Sequence, residues 1–269
     1  MYLADYHTHS RISPDAEYPM TAMAEAAVAA GLDELCFTDH VEPVAWSGRA
    51  PIPFYDWAAL EREFQEVQAA MGDRIKLRMG IELGDACLDF PRTRELLEGA
   101  PELDFVIGSI HVLSPRFDGA DMYFFHPKDE DEAREELADY LGLVRQMAAW
   151  GEFDVQGHLT LPLRYLNENQ GFHLTFDGFE KEIEEILRLL IQNGCGIEVN
   201  TNRGHTPLPD AKWLRMYREL GGEIITLGTD AHTPDFVGCA IREGQELLRS
   251  CGFRRFCTFE QGKPIWHDL

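Results

Sequence analysis

Residues 2–10 read "YLADYHTHS", residues 22–32 "AMAEAAVAAGL" and residues 34–40 "ELCFTDH". A short apolar run ends in two histidines. An Ala-rich stretch follows and stops at Gly31, as helices do. A second apolar run then ends in Asp39 and His40. This is one strand–helix–strand unit whose strands both finish in polar side chains. His7 and His9 are two residues apart, so on a strand they share a face and reach one ion. The pair alone reads equally well as two surface histidines at a frayed terminus, and the rest of the chain must decide between the readings.

The same unit recurs along the chain. Asp56 caps "WAALEREFQEVQAAMG" after a Pro-rich loop spanning residues 43–53. "IKLRMGIE" is strand-like, "PRTRELLEGA" is helical with Pro91 in its first turn, and "DFVIGSIH" is strand-like again. The acidic run 129–136 opens a long helix ending near Gly151. "FDVQGH" leads through a loop to a helix over residues 179–193. "CGIEVN", "DAKWLRMYREL", "EIITLGTDAH" and "DFVGCAIREGQELLRS" complete the alternation. Seven strands, each followed by a helix, predict a parallel sheet with helical crossovers. No eighth unit follows; "RRFCTFEQGKPIWHDL" predicts a short hairpin or a closing strand. The expectation is an irregular seven-stranded (β/α)7 barrel, TIM-barrel-like, formed as one domain over residues 1–269. No Gly-rich dinucleotide fingerprint follows the first strand, which disfavours an open doubly wound sheet. The charge runs at 129–136 and 180–185 alternate with apolar positions at helical spacing and read as solvated helix faces.

Composition narrows the function. The 269 residues are 45% hydrophobic and carry 24 basic against 47 acidic side chains, a formal charge of −23. That balance argues against nucleic-acid and anionic-membrane surfaces, which need excess Lys and Arg. A small phosphorylated substrate remains compatible, because bound divalent ions supply the missing positive charge. Cys36, Cys87, Cys195, Cys239, Cys251 and Cys257 form no CxxC pair and read as reduced thiols. With no signal peptide and no apolar run near the roughly 18 residues of a membrane span, the expectation is a soluble, cytoplasmic protein.

The strand ends carry the chemistry. In order they finish in His7 and His9, Asp39 and His40, Glu82, His111, His158, Asn200, and Asp230 and His232. Six of the ten histidines therefore sit where strands end, and a barrel brings all those ends to the face where active sites are built. His126, His173, His205 and His267 lie in loops or the tail and read as structural. The six imidazoles with Asp15, Glu82 and Asp230 make nine nitrogen and oxygen donors. One tetrahedral zinc uses three or four, so nine suit up to three ions with Glu82 bridging two. Imidazole-rich donors favour Zn or Fe, and the carboxylates leave Mn open.

"HTHS", "FTDH", "GIE", "GSIH", "GH" and "GTDAH", in that order over residues 7–232, resemble the motifs of the polymerase-and-histidinol-phosphatase (PHP) family of metal-dependent phosphoesterases. "EVNTNRG" followed by "LGGEIITLGTDAH" is most similar to its histidinol-phosphate phosphatase branch. The resemblance implies hydrolysis of L-histidinol phosphate in histidine biosynthesis, with two to three divalent ions as cofactors. It implies one ion on His7, His9, Glu82 and Asp230, a second on Glu82, His111 and His158, and a third on Asp15, His40 and His232. Asp15 stands where some relatives have histidine. The family also uses barrel-mouth arginines on the phosphate, for which Arg164, Arg203 and Arg116 are the matches. The stretch "NTNRGHTP" departs from the branch's usual loop.

Phosphate monoesters are inert, so the site must supply a strong nucleophile and neutralise charge on the transferring oxygens. The expected route is a hydroxide bridging two metals that attacks phosphorus in line, with Asp230 or His232 protonating the leaving alkoxide. Asp39 is either a strand-end cap or a carboxylate orienting a ligating imidazole. Glu17, Glu42 and Asp85 are candidates to receive the cationic end of the substrate. The aromatic group Trp46, Phe54, Tyr55 and Trp57 either stacks a nucleobase or packs on the barrel rim. Three rivals remain: other PHP-type phosphatases or phosphodiesterases acting on nucleotides or cyclic phosphates, a metal-dependent amidohydrolase, and a metal-binding module without catalysis. The amidohydrolase is disfavoured because Glu82 occupies the strand end where that superfamily commonly carries a carbamylated lysine.

Overall fold

The computed structural model describes residues 1–46 and 50–269, so part of the expected Pro-rich loop lies outside the described residues. Seven strands run β1 (Ala4–Asp5), β2 (Glu34–Val41), β3 (Lys76–Gly84), β4 (Phe105–Ser109), β5 (Val155–Gln156), β6 (Gly196–Asn200) and β7 (Ile225–Gly228). Each pairs in parallel with the next, in sequence order. The last strand returns to the first: Tyr6 N donates to Leu227 O at 2.9 Å, Asp230 N to His7 O at 2.8 Å, and Thr8 bridges Ala231. The sheet is therefore a nearly closed barrel. Every residue of β2, β6 and β7 is buried, as expected for parallel strands covered on both faces.

Among the described residues seven α-helices cover the barrel: α1 (Met20–Ala30), α2 (Trp57–Met71), α3 (Phe90–Leu97), α4 (Glu130–Trp150), α5 (Glu180–Gln192), α6 (Ala211–Glu219) and α7 (Ile241–Ser250). α1 buries Met20, Met23, Ala24 and Ala27, one stripe at helical spacing. The expected helix ends form: Gly31 and Gly151 take left-handed φ, Asp56 caps α2 by accepting from Ala59 N, and Asp129, first of the acidic run, accepts from Glu132 N at the start of α4. Two expectations need correction. The stretch 235–250 is not one helix; a 3-10 turn at Pro234–Phe236 comes first, and α7 starts only after Ala240, at φ +57. The chain detours there because Gly238 N donates to Asp5 Oδ2 at 2.9 Å, tying the loop to the closing strand pair. Glu136 belongs to an acidic run expected to face solvent, yet it is only 1% exposed.

The tail forms an antiparallel hairpin, β8 (Arg255–Glu260) and β9 (Lys263–Asp268). It seals the N-terminal end of the barrel. Phe259 exchanges hydrogen bonds with the Tyr6 hydroxyl, and Glu260 pairs with Arg78 at 2.6 Å. Arg78 also reaches Glu34 at 2.9 Å. The buried histidines and carboxylates that end the strands lie at the opposite end.

Candidate metal centre

Glu82, near the end of β3, is fully buried and forms the hub. Its Oε2 lies 3.2 Å from His7 Nε2, 3.4 Å from His9 Nε2 and 3.1 Å from His40 Nδ1. Its Oε1 lies 2.8 Å from His158 Nε2 and 3.2 Å from His111 Nε2. Asp230 Oδ1 closes one side, 3.6 Å from His7 Nε2 and 3.4 Å from His9 Nε2. Asp15 stands at the outer edge, 3.0 Å from His232 Nε2 and 3.6 Å from His40 Nε2. His9 stacks between His40 and His232, with ring centres 4.3 and 4.1 Å away. All nine candidate ligands thus converge on one end of the barrel.

The donor set fits metal ions. His7 Nε2, His9 Nε2, His40 Nδ1 and Glu82 Oε2 are buried and lack a hydrogen-bond partner, a costly state for polar atoms unless an ion engages them. Zinc–ligand bonds of about 2.0–2.1 Å in a tetrahedron set donor atoms roughly 3.3 Å apart. The four histidine-to-carboxylate separations among His7, His9, Glu82 and Asp230 run from 3.2 to 3.6 Å. Groups able to hold an ion include His7–His9–Asp230, His7–Glu82–His158, His40–Glu82–His111 and His9–His40–His232.

Electrostatics keeps both carboxylates charged, and against the pull of burial the neighbouring carboxylates raise His7, His40 and His111 above the usual imidazole value. Burial alone would push Glu82 up, but His7, His111 and His40 hold its carboxyl well below the usual range. Burial likewise opposes a charged Asp230, and His7 and Arg164 overcome it. Burial, with His232 and His40 alongside, holds His9 well below the usual imidazole value, leaving Nε2 a lone pair.

A second layer orients the rings. His7 donates Nδ1–H to Glu198 at 2.7 Å, and His111 donates Nδ1–H to Glu42 at 3.2 Å. Ser13 Oγ gives its one proton to Asp39 at 2.8 Å and accepts from His9 Nδ1 at 3.0 Å. Asp39 also accepts from Ser10 and from the Ser13 backbone. It therefore acts on His9 through Ser13, which unites the two readings offered for it. Asp85 accepts from the backbone of His111 and Val112, whereas Glu17 is exposed. Glu198 was not singled out from sequence; its signal was a carboxylate inside the apolar strand "GIEVN".

The three arginines separate. Arg164 opens a π-helical turn, Arg164–Asn169, that sequence periodicity did not reveal. It donates to Asp230 Oδ2 at 2.7 Å, Asn200 Oδ1 at 2.9 Å and Asn202 Oδ1 at 2.8 Å, which gives Asn200 its role. Arg203 is exposed at φ +55 and lies over the Phe236 ring at 4.8 Å. Arg116 is exposed and pairs with the exposed Glu135 at 2.6 Å. The aromatic group also divides. Trp46 sets its ring edge-on to His40 at 4.9 Å, whereas Tyr55 packs on Trp57 at 4.5 Å, Trp57 Nε1 bonds Leu96 O, and Phe54 is exposed.

Comparison with known proteins places this geometry. The PHP domain matches residues 5–202. The chain belongs to the PHP domain family. Histidinol-phosphatase of Lactococcus lactis is 31% identical over 95% of this chain and 93% of its own length. A Deinococcus radiodurans protein named "Probable histidinol-phosphatase" is 30% identical over 97% of this chain and 98% of its own. The crystal structure of L. lactis histidinol phosphate phosphatase, complexed with zinc, L-histidinol and phosphate, superposes with a TM-score of 0.80 at 28% identity, covering 98% of both chains. Like this PHP chain, these relatives match over almost their whole length, so the resemblance is not confined to the ligand motifs.

Proposed function

We propose that this protein is a metal-dependent phosphomonoesterase that hydrolyses L-histidinol phosphate to L-histidinol and phosphate, a step of histidine biosynthesis. The observation that carries the reading is the pairing of a nine-donor cluster with near full-length similarity to a phosphatase complexed with zinc, L-histidinol and phosphate. Two to three divalent ions, Zn with Mn or Fe as alternatives, would be held by His7, His9, Glu82 and Asp230, by Glu82, His111 and His158, and by Asp15, His40 and His232. When bound, such ions supply Lewis-acid charge for the phosphoryl oxygens and a water acidic enough to attack at neutral pH.

The chain's own groups do the rest. Arg164 uses three of its five N–H groups on Asp230, Asn200 and Asn202. Its guanidinium is thereby fixed beside the cluster, with donors left for a phosphate oxygen. Arg203, held over Phe236 on the loop after β6, is the second candidate phosphate ligand. Arg116 is the weakest of the three, because Glu135 already engages it. Asp230 has Oδ1 against His7 and His9 and Oδ2 on Arg164. His232, 21% exposed, is the more open group for delivering a proton to the leaving alkoxide. The side chains of Tyr55 and Trp57 are spent on each other, which favours a small alkyl phosphate over a nucleotide needing a stacking platform.

The test is kcat/KM across histidinol phosphate, nucleotides, cyclic nucleotides and a phosphotyrosine peptide. Histidinol phosphate is expected to lead by at least about tenfold, or roughly 1.4 kcal/mol of transition-state discrimination. A nucleoside or cyclic phosphate turning over faster overturns the substrate and leaves the metal chemistry standing. The acidic composition makes nucleic acid a poor partner, and no described helix is long and apolar enough to cross a membrane.

A further inference from the structure

Four of the clustered imidazoles are held by a bond to the ring itself. His7, His9, His111 and His232 direct Nδ1 to Glu198, Ser13, Glu42 and the Asp230 carbonyl. His158 is different. Its Nδ1 is buried without a partner. Its backbone sits at φ +24, a conformation strained for a non-glycine residue. Its main-chain N–H donates to Glu198 Oε2 at 2.8 Å. One carboxylate, 1% exposed, therefore holds two ligands by different handles: the ring of His7 on Oε1 and the backbone of His158 on Oε2.

The slot is built for that carboxylate. A Cβ on Gly228 would collide with Glu198 Oε1 and with Cβ of His7. The two ligands it holds face opposite oxygens of Glu82, His7 Nε2 at Oε2 and His158 Nε2 at Oε1. In the metal assignment above, they serve different ions.

We propose that Glu198 is a positioning residue that couples the first two metal sites, fixing the tautomer of His7 for one and the backbone of His158 for the other. This rests on the metal-binding reading given under Proposed function. A carboxylate accepts at both oxygens, whereas an amide accepts at only one of the two positions and donates at the other. In Glu198→Gln the amide oxygen stays with the His158 N–H, which has no alternative tautomer. The amide NH2 then faces His7 Nδ1. That ring must accept there and carry its proton on Nε2, where no lone pair is left for an ion. Glu198→Ala releases both ligands.

The experiment is a zinc titration of the chelator-stripped full chain against a chromophoric chelator, with thermal unfolding of the zinc-free protein recorded alongside. Glu198→Gln should weaken one ion about 10- to 100-fold. Glu198→Ala should weaken two, and Gly228→Ala, which displaces the carboxylate from its slot, should follow the Ala pattern. The set Asp15, His40 and His232 should keep its affinity throughout, a selectivity that general loosening of the fold does not produce. Wild-type affinity in both Glu198 variants, or an equal loss at every site, overturns the coupling. If the alanine variants do not fold, the near-isosteric Glu198→Gln decides alone: loss at one site supports the proposal, and no loss overturns it. A wild-type chain that binds no zinc overturns the metal reading itself and the coupling with it.

Discussion

The two ends of the barrel solve the same problem in opposite ways. At the N-terminal end, buried Glu34 accepts from the hydroxyls of Tyr2 and Tyr6, each at 2.6 Å, and from Arg78 at 2.9 Å. Arg78 also meets Glu260 at 2.6 Å and Asp104 at 3.4 Å. That cluster contains a permanent cation and leaves none of these side chains with an orphaned polar atom. At the C-terminal end, buried Glu82 is surrounded by His7, His9, His40, His111 and His158, and donor atoms on several of them have no partner. Buried charge must be compensated. One end does so with a permanent cation and fully paired side chains; the other presents unpartnered donors, which the metal reading proposed above completes with cations supplied from outside.

The contrast is tested first at its hubs. Glu82→Gln should lower kcat/KM by about a thousandfold or more, roughly 4 kcal/mol, because its two carboxylate oxygens face donors of two different sites. His40→Ala, at the outer set, should be clearly milder. Equal losses in steady-state assays would break the assignment of Glu82 as the bridge. Arg78→Met should do the reverse. Leaving buried Glu34 with only the exposed Lys76, 3.6 Å away, as a cation should cost about 3 kcal/mol in denaturant unfolding, with metal content and kcat/KM of the folded fraction unchanged. A fall in metal content there would mean that the two ends are not independent.

A third buried carboxylate sharpens the comparison because it has neither solution. Glu136 on α4 has an Oε2 without a partner, and burial pushes its carboxyl up to about 8. Its native pKa exceeds that of the unfolded chain, so the native state binds the proton more tightly. Wild-type stability must then fall relative to Glu136→Gln as pH rises from about 4.5 to about 8. Paired denaturation curves across that window check the sign. A gap that stays constant with pH would show that Glu136 finds compensation after all.

Much of this division was legible in the residues themselves. His7, His9, His40, His111, His158 and His232 announced the mouth because each ends a strand, and a barrel leaves strand ends one place to go. Gly31, Asp56 and Asp129 marked helix boundaries through local backbone chemistry that depends on few neighbours. What stayed hidden depends on distant partners. Glu198 lies inside a strand, and only the fold sets it behind both His7 and His158. The late start of α7 follows from Gly238 reaching Asp5 across the closing seam. Arg164 and Arg116 look alike as loop arginines, until the fold gives one Asp230 and the other Glu135.

Metal content tests the central claim most directly. If the unpartnered donors around Glu82 are ligands, elemental analysis of protein reconstituted with Zn, Mn or Fe should return two to three divalent ions per chain. Stripping them should lower the thermal midpoint, because ions that bind only the native state stabilise it. One ion or fewer per chain, with an unchanged midpoint, would contradict the account.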